Sequence, residues 1–154
     1  MTDLLLKGAN LLGDKGADVL VRDGVIAEIG SIPGAGELGG RQLTVVGAAG
    51  LVLLPGLVDL HAHLREPGRE DAETVASGSA AAAAGGFTAI LAMANTSPVT
   101  DTAEAAERVF DLGRAAGLVD VQPIGAVSKG LAGVELAELG LMARSRARVR
   151  VFSD

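Results

Sequence analysis

From residue 51 to the end of the chain, apolar segments typical of strands alternate with segments of helical spacing. Strands are predicted at 51–63, 87–94, 119–127 and 149–153, and helices at 71–85, 102–116 and 134–144. The strands are apolar along their whole length, which is typical of a parallel sheet covered by helices, because such strands have no face in water. The order β-α-β-α-β-α-β therefore predicts an α/β fold.

Four parallel strands of this kind can form a small open sheet or half of an eight-stranded barrel. A closed (β/α)8 barrel needs about 250 residues, whereas this chain has 154. We therefore expect at most the N-terminal part of a TIM-type barrel, with about four βα units. Asp154 follows the fourth predicted strand directly. Catalytic residues collect at this end of parallel strands, so the chain is predicted to stop inside an active site.

Residues 1 to about 50 have a different pattern, in which short apolar segments are closed by glycines. Asp23-Gly24 lies between two such segments and is a strong signal for a two-residue hairpin. These features predict a small antiparallel β unit. The stretch Gly34 to Gly39 matches GxGxxG, but the residues after it are extended rather than helical, so we interpret it as a loop.

Charge and composition exclude several classes of function. The chain has 13 Lys and Arg against 19 Asp and Glu, a formal net charge of −6, which disfavours nucleic acid or an anionic membrane as the main partner. Cysteine is absent, so a thiol nucleophile or a zinc ribbon is impossible. An acid, Asp3, stands where a secretory leader has positive charge, and no apolar run approaches the ~20 residues of a membrane span. We expect a soluble cytoplasmic protein.

Both histidines lie in the segment Asp59-Leu60-His61-Ala62-His63-Leu64-Arg65. Side chains alternate along an extended strand, so Asp59, His61, His63 and Arg65 are predicted to share one face. Two neutral imidazoles at this spacing can converge on one divalent ion, with zinc as the first candidate, and Asp59 can orient a ring nitrogen or approach the metal itself. Such an ion lowers the pKa of bound water and polarises a carbonyl. The alternative interpretation is a polar strand end with two half-exposed histidines.

The run from Pro55 to Gly68, PGLVDLHAHLREPG, resembles the signature of the bacterial dihydroorotases within the amidohydrolase superfamily. The similarity continues through the predicted helix at 73–84, the motifs GGFT at 85–88 and MANTSPV at 93–99, and VFSD at 151–154. It covers essentially the whole chain, but only the N-terminal part of a family member. The resemblance implies that residues 53–154 are the first half of a metal-dependent hydrolase barrel, and that residues 1–52 are an incomplete β-sandwich segment.

The resemblance also implies roles for individual residues. His61 and His63 would bind zinc, and Arg65 and Asn95 would hold the substrate carboxylate, which suits a bidentate guanidinium and an uncharged amide donor. In the family the fourth strand ends in two consecutive Asp, of which the second bridges two metal ions. Asp154 matches the first, so we expect it, like Asp59, beside the metal ligands. The bridging Asp, two later His ligands and the general base would lie beyond residue 154, which implies an inactive fragment.

The activity implied by the resemblance is that of a dihydroorotase, with one or two zinc ions in a complete site. This activity interconverts N-carbamoyl-L-aspartate and (S)-dihydroorotate in the de novo biosynthesis of pyrimidines. Arg65 favours it, because the related allantoinases have Asn at this position and hydantoinases lack the Arg-Glu-Pro-Gly run. Two alternatives stay open: another cyclic amidase of the allantoinase or hydantoinase type, and a non-catalytic partner of aspartate transcarbamoylase. The complete protein is expected to be a homo-oligomer.

Overall fold

A computed structural model describes residues 3–14, 16–33 and 42–154 of the chain. The chain divides into two compact units, Met1–Pro55 and Gly56–Asp154. The sequence-based boundary after residue 52 falls just before this division. The glycine-rich stretch from Gly34 to Gly39, interpreted above as a loop, lies outside the described residues.

The first unit is a β-sheet. Its described strands are β1 (Asp3–Leu11), β2 (Gly16–Arg22), β3 (Val25–Gly30), β4 (Leu43–Gly47) and β5 (Val52–Leu53). The order is β3-β2-β1-β4, with β5 also paired to β1. The predicted hairpin is confirmed, because Asp23 and Gly24 join β2 to β3 with φ of +50° and +80°, the left-handed values that a type I′ turn needs at both positions.

The sheet is mixed rather than antiparallel, which corrects the sequence-based prediction. Strands β1, β2 and β3 are antiparallel neighbours, but β4 and β5 both run parallel to β1. Parallel neighbours need a crossover connection of about a dozen residues or more. The parallel neighbours β1 and β4 are joined by residues 12–42, which include the β2–β3 hairpin, and no local sequence pattern reveals that β4 returns to pair with β1.

The Asp18 carboxylate in β2 joins β1 to the segment that follows β3. Asp18 is 8% exposed. Its Oδ2 accepts hydrogen bonds from Lys7 Nζ at 2.6 Å and the Ile32 N–H at 2.9 Å, and its Oδ1 accepts one from the Gly8 N–H at 2.9 Å. The Lys7 ammonium and these N–H groups lower the pKa of Asp18 from 3.8 to about 2. Ile32 is thereby held in a small core with Leu5 and Leu20.

This carboxylate predicts how the first unit responds to acid. Because the folded-state pKa of Asp18 lies below its ordinary value, the ionised form stabilises the fold fully above about pH 4, and the contribution disappears as the pH falls through about 2. We expect Asp18→Asn to lower the thermal midpoint at neutral pH, with a difference that shrinks towards pH 2. Circular dichroism melts of both proteins across this range test it. A difference independent of pH would contradict the assignment.

The second unit alternates strands and helices. Its elements are β6 (Leu57–Ala62), α1 (Val75–Ala84), β7 (Phe87–Ala92), α2 (Ala103–Ala116), β8 (Asp120–Pro123), β9 (Gly125–Ala126), α3 (Leu139–Arg144) and β10 (Phe152–Ser153). Strands β6, β7 and β8 form one parallel sheet in that order, and β9 and β10 form a parallel pair. The predicted parallel α/β alternation is confirmed. No helix in the described part of the chain is long and apolar enough to cross a membrane.

Several predicted elements are shorter than the sequence indicated. The helix predicted at 134–144 begins only at Leu139, because Leu136 forms a β-bridge with Ser128 and the next N–H donates to the carbonyl of Val127 at 2.9 Å. The strand at 119–127 is divided between β8 and β9, and the strand at 149–153 is reduced to β10. The strand at 51–63 is divided at Pro55, which has no N–H to donate to a sheet.

The helices begin where side chains cap them. Thr74 and Thr102 are the N-caps of α1 and α2, and each hydroxyl accepts a hydrogen bond from an N–H three residues later, a feature that favours a helix start. Helix α2 ends at Gly117 with φ of +64°, as a left-handed C-cap requires. The core of the second unit consists of apolar residues from the sheet and the helices: Leu64, Val75, Ile90, Ala92, Val109, Val119 and Val121.

Strand β6 has an open apolar surface, contrary to the expectation of strands buried on both faces. It lies at the edge of its sheet, and Leu57, Val58 and Leu60 are 50%, 51% and 67% exposed. An apolar edge strand is a template for pairing with other chains. We therefore expect the isolated 154-residue chain to self-associate in sedimentation experiments. A monodisperse monomer that unfolds cooperatively would contradict this and favour an autonomous open sheet.

Candidate functional site

A cavity of about 260 Å³ lies where strands of the second unit end. Its lining includes side chains that follow the carboxyl ends of β6, β7 and β10, the location expected for a site in a parallel α/β fold. The lining residues are His61, His63, Met93, Ala94, Asn95, Leu131, Ser153 and Asp154. Four residues singled out from the sequence therefore surround one cavity: His61, His63, Asn95 and Asp154.

The two imidazoles approach each other through their Nε2 atoms. Their Nε2 atoms lie 3.3 Å apart, and the rings are inclined by 69° with centroids 5.0 Å apart. Two nitrogens bound to one tetrahedral zinc ion at 2.0–2.1 Å are separated by about 3.3–3.4 Å, so the distance between these two Nε2 atoms matches that of two zinc ligands. Among the described residues no group of three or more His, Asp or Glu could hold a metal ion. His61 and His63 could thus supply two of the four ligands that a tetrahedral site needs.

The two histidines are supported in different ways. Asp59 Oδ1 accepts a hydrogen bond from the main-chain N–H of His61 at 3.0 Å, so this carboxylate contacts the backbone and not the expected ring nitrogen. The ring contact is made by Asn95, whose Oδ1 lies 3.0 Å from His63 Nδ1. Sequence reasoning missed this contact, because Asn95 is 32 residues away and approaches His63 only through the pairing of β6 with β7.

The strand alternation from which the position of Arg65 was predicted ends before this residue. Strand β6 ends at Ala62, and Arg65 has φ of +62°, so side-chain alternation does not extend to it and cannot place it on the face of His61. Its carbonyl accepts a hydrogen bond from the Arg69 N–H at 2.9 Å. Arg65 is half-buried and is not among the described residues that line the cavity.

The turn after Arg65 packs against the loop that follows β7. The Ser97 N–H donates to the carbonyl of Pro67 at 2.8 Å, and Glu66 Oε2 accepts a hydrogen bond from the first N–H of α1, that of Val75, at 2.8 Å. Gly68 has φ of +108°, and a Cβ there would lie 2.4 Å from Ser97 Cβ. Only glycine fits this approach. The Glu66-Pro67-Gly68 turn therefore supports the loop containing Asn95.

Asp154 is held by the segment that follows β9. Its Oδ1 accepts hydrogen bonds from the N–H groups of Val127 and Ser128 at 3.1 and 2.9 Å, and its Oδ2 accepts one from Ser128 Oγ at 2.5 Å. The Ser128 hydroxyl, followed by the two N–H groups, lowers the pKa of the Asp154 carboxyl. The carboxylate is therefore ionised at neutral pH, and its oxygens hold this segment beside the histidine pair.

Comparison with known sequences gives one consistent result. A family model described as "Dihydro-orotase-like" matches residues 50–153. The chain is 54% identical over 154 residues to a dihydroorotase of Streptomyces coelicolor, covering 100% of this chain and 35% of that protein. It is 58% identical over 150 residues to a dihydroorotase of Leifsonia xyli subsp. xyli, covering 97% and 33%. The chain thus spans about a third of the length of these curated relatives.

Solved structures also resemble the chain. An L-hydantoinase (dihydropyrimidinase) from Arthrobacter aurescens matches with a TM-score of 0.68 and 28% identity, over 83% of this chain and 28% of that one. A dihydropyrimidinase from Brevibacillus agri NCHU1002 matches with a TM-score of 0.64 and 27% identity, over 82% and 27%. The mixed α/β arrangement of this chain is therefore shared with the corresponding part of much longer chains.

Proposed function

The chain belongs to the dihydro-orotase-like family, and from this membership we propose that it is the N-terminal part of a zinc-dependent dihydroorotase. The complete protein would interconvert N-carbamoyl-L-aspartate and (S)-dihydroorotate in de novo pyrimidine biosynthesis, in the cytoplasm. The observation that supports this most is the approach of His61 Nε2 to His63 Nε2 within 3.3 Å, on a cavity that Asn95 and Asp154 also line.

The proposal includes the architecture of the complete protein. Residues 53–154 would form about four βα units, the first half of a (β/α)8 barrel, and residues 1–52 would belong to a β-sandwich completed by a later segment. The open apolar surface of β6 supports this, because a strand at the edge of a half barrel gains a neighbour when the barrel closes. The remaining zinc ligands and the general base would come from residues beyond Asp154.

The geometry supports a proposed role for each residue of the metal site. His61 and His63 would hold zinc through their Nε2 atoms, and the complete site would contain one or two ions. When bound, zinc supplies Lewis-acid polarisation of the ring amide carbonyl and lowers the pKa of a water molecule. Asp59 fixes the main chain at His61, and Asp154 fixes the segment after β9. Both carboxylates would thus keep the walls of the site in place.

Arg65 and Asn95 would bind the substrate carboxylate. Asn95 lines the cavity directly. Arg65 precedes the Glu66-Pro67-Gly68 turn, and the hydrogen bond from Ser97 to Pro67 joins this turn to the loop containing Asn95. A guanidinium fork beside an amide donor suits a carboxylate. Holding the carboxylate would orient the ring so that its amide carbonyl faces the histidine pair.

Hydantoin cleavage is the second candidate, because the structural matches include a hydantoinase. The higher identity to dihydroorotases, 54% and 58% against 28% for that L-hydantoinase, favours dihydroorotate. The test is a comparison of dihydroorotate, hydantoin and allantoin as substrates of the complete zinc-loaded protein. We expect turnover of dihydroorotate to exceed that of the other rings by more than about a hundredfold. A preference for hydantoin or allantoin would overturn the proposal.

The remaining alternative is a non-catalytic partner of aspartate transcarbamoylase. The mass of the protein in its source cells tests these candidates. A mass large enough for a closed barrel, which needs about 250 residues, is expected for the enzyme. A mass of 15.4 kDa, that of this chain, would favour the non-catalytic partner. We propose a longer, homo-oligomeric enzyme. A protein without zinc that copurifies with aspartate transcarbamoylase and has no turnover would favour the non-catalytic alternative.

A further inference from the structure

We infer that Asn95 is a positioning residue for the metal ligand His63, in addition to its proposed contact with the substrate carboxylate. Its amide oxygen would hold the imidazole tautomer that leaves Nε2 free for the ion, and its amide nitrogen would remain available to the substrate. The inference rests on the proposed zinc site, and it concerns how this chain prepares a ligand before the metal arrives.

Asn95 Oδ1 and His63 Nδ1 lie 3.0 Å apart and form a hydrogen bond. An amide oxygen can only accept, so Nδ1 must carry the proton of this bond. A neutral imidazole has one N–H, and therefore the lone pair of His63 lies on Nε2. This is the nitrogen that approaches His61 Nε2 at 3.3 Å. With the amide reversed, its NH2 group would donate to Nδ1, and the proton on Nε2 would occupy the position of the metal.

Asn95 is itself well placed to fix the ring. Two residues before Asn95, the Met93 N–H donates to the carbonyl of Ala62, the residue between the two histidines, at 2.9 Å. Ala94 is 1% exposed, and its carbonyl accepts a hydrogen bond from the Thr100 N–H at 3.0 Å. The backbone on the N-terminal side of Asn95 is therefore bonded both to β6 and to its own loop. An acceptor held in this way orients an imidazole more strongly than solvent does.

The oxygen and the nitrogen of the Asn95 amide can bind different groups. Oδ1 is engaged by His63, whereas the Asn95 side chain is exposed on the cavity, so its Nδ2 can donate to an anionic oxygen there. Aspartate at this position would keep the acceptor for His63 but replace the donor with a negative charge. Alanine would remove both functions. The two substitutions consequently separate the support of the ligand from the binding of the substrate.

The experiment uses the complete protein and measures zinc affinity by competition with a chelator, together with KM for dihydroorotate. We expect Asn95→Ala to weaken zinc binding by about 10–100-fold, the usual effect of removing a group that orients a ligand. Asn95→Asp should retain zinc affinity within about threefold of the unsubstituted protein, while its KM rises at least as much as that of Asn95→Ala. Asn95→Leu, which fills a similar volume without an acceptor, should behave like Asn95→Ala in the zinc measurement.

The outcomes are separable from those of the proposed function. Unchanged zinc affinity in Asn95→Ala and Asn95→Leu would overturn the inference, and so would equal losses in Asn95→Ala and Asn95→Asp. If the unsubstituted protein binds zinc but does not turn over dihydroorotate, the proposed activity fails, and the order of zinc affinities still decides the role of Asn95. If the unsubstituted protein does not bind zinc at all, both proposals are overturned.

Discussion

Replacing His61 with alanine in the complete protein is expected to remove most of the bound zinc and to reduce dihydroorotate turnover by more than about a hundredfold. The 3.3 Å between His61 Nε2 and His63 Nε2 matches two corners of the proposed tetrahedral site, and removal of one would leave a single imidazole from this chain. Loss of a direct ligand should exceed the 10–100-fold cost that is typical for groups that only orient a ligand. Metal analysis of the purified protein and steady-state kinetics provide the measurement.

A matched substitution away from the cavity shows whether the loss is specific. Glu104 lies in the first turn of α2, is exposed, and does not line the cavity, so Glu104→Gln should retain both zinc and turnover. A His61→Ala protein that keeps full zinc-dependent activity would refute the metal site proposed here. Such a result would favour the alternative interpretation, in which the two histidines are half-exposed residues at a polar strand end.

Gly113→Ala is expected to destabilise the protein by about 1–3 kcal/mol. Gly113 lies in α2 where the helix packs on β8, and an added Cβ would stand 2.5 Å from Val121 Cβ and 3.1 Å from its Cγ2. A β-branched side chain rooted in a strand cannot rotate away from such a contact. The helix or the strand would have to shift. Chemical unfolding followed by circular dichroism should show the lower stability.

The same substitution in another helix should have the opposite sign. At Gly140 in α3 the nearest atom to an added Cβ is Arg144 Nη2 at 3.5 Å, the end of a flexible side chain. Alanine restricts the unfolded chain without a clash there, so Gly140→Ala should stabilise by about 0.4–1 kcal/mol. Equal effects at both positions would show that the contact with Val121 does not limit the packing of α2.

Much of the local structure was predictable from sequence. The alternation of apolar and helical segments anticipates β6, α1, β7 and α2, because side-chain period and helix caps act over a few residues. The hairpin at Asp23-Gly24 is equally local. Residues 134–138 were wrongly predicted as helix, since the conformation around Leu136 depends on pairing with residues 127 and 128, which local spacing does not reveal.

The candidate site divides in the same way. His61 and His63 are two residues apart, so a short extended segment suffices to bring their rings together, and the sequence alone indicated this pair. Strand β6 ends at Ala62, so the alternation of side chains along the strand does not extend to Arg65. The left-handed backbone at Arg65 could not be predicted from the spacing of apolar and polar residues.

By itself, then, the sequence determined the types of the main elements, the parallel alternation of the second unit and the histidine pair, all of which depend on interactions between near neighbours. The tertiary structure decided which strands lie beside β1, that Asn95 Oδ1 lies within hydrogen-bond distance of His63 Nδ1, and that Asp154 contacts Ser128. These contacts join residues 26 or more positions apart, or strands linked by a crossover. Their geometry depends on strand register and helix packing, which arise only when distant segments bury their apolar surfaces together.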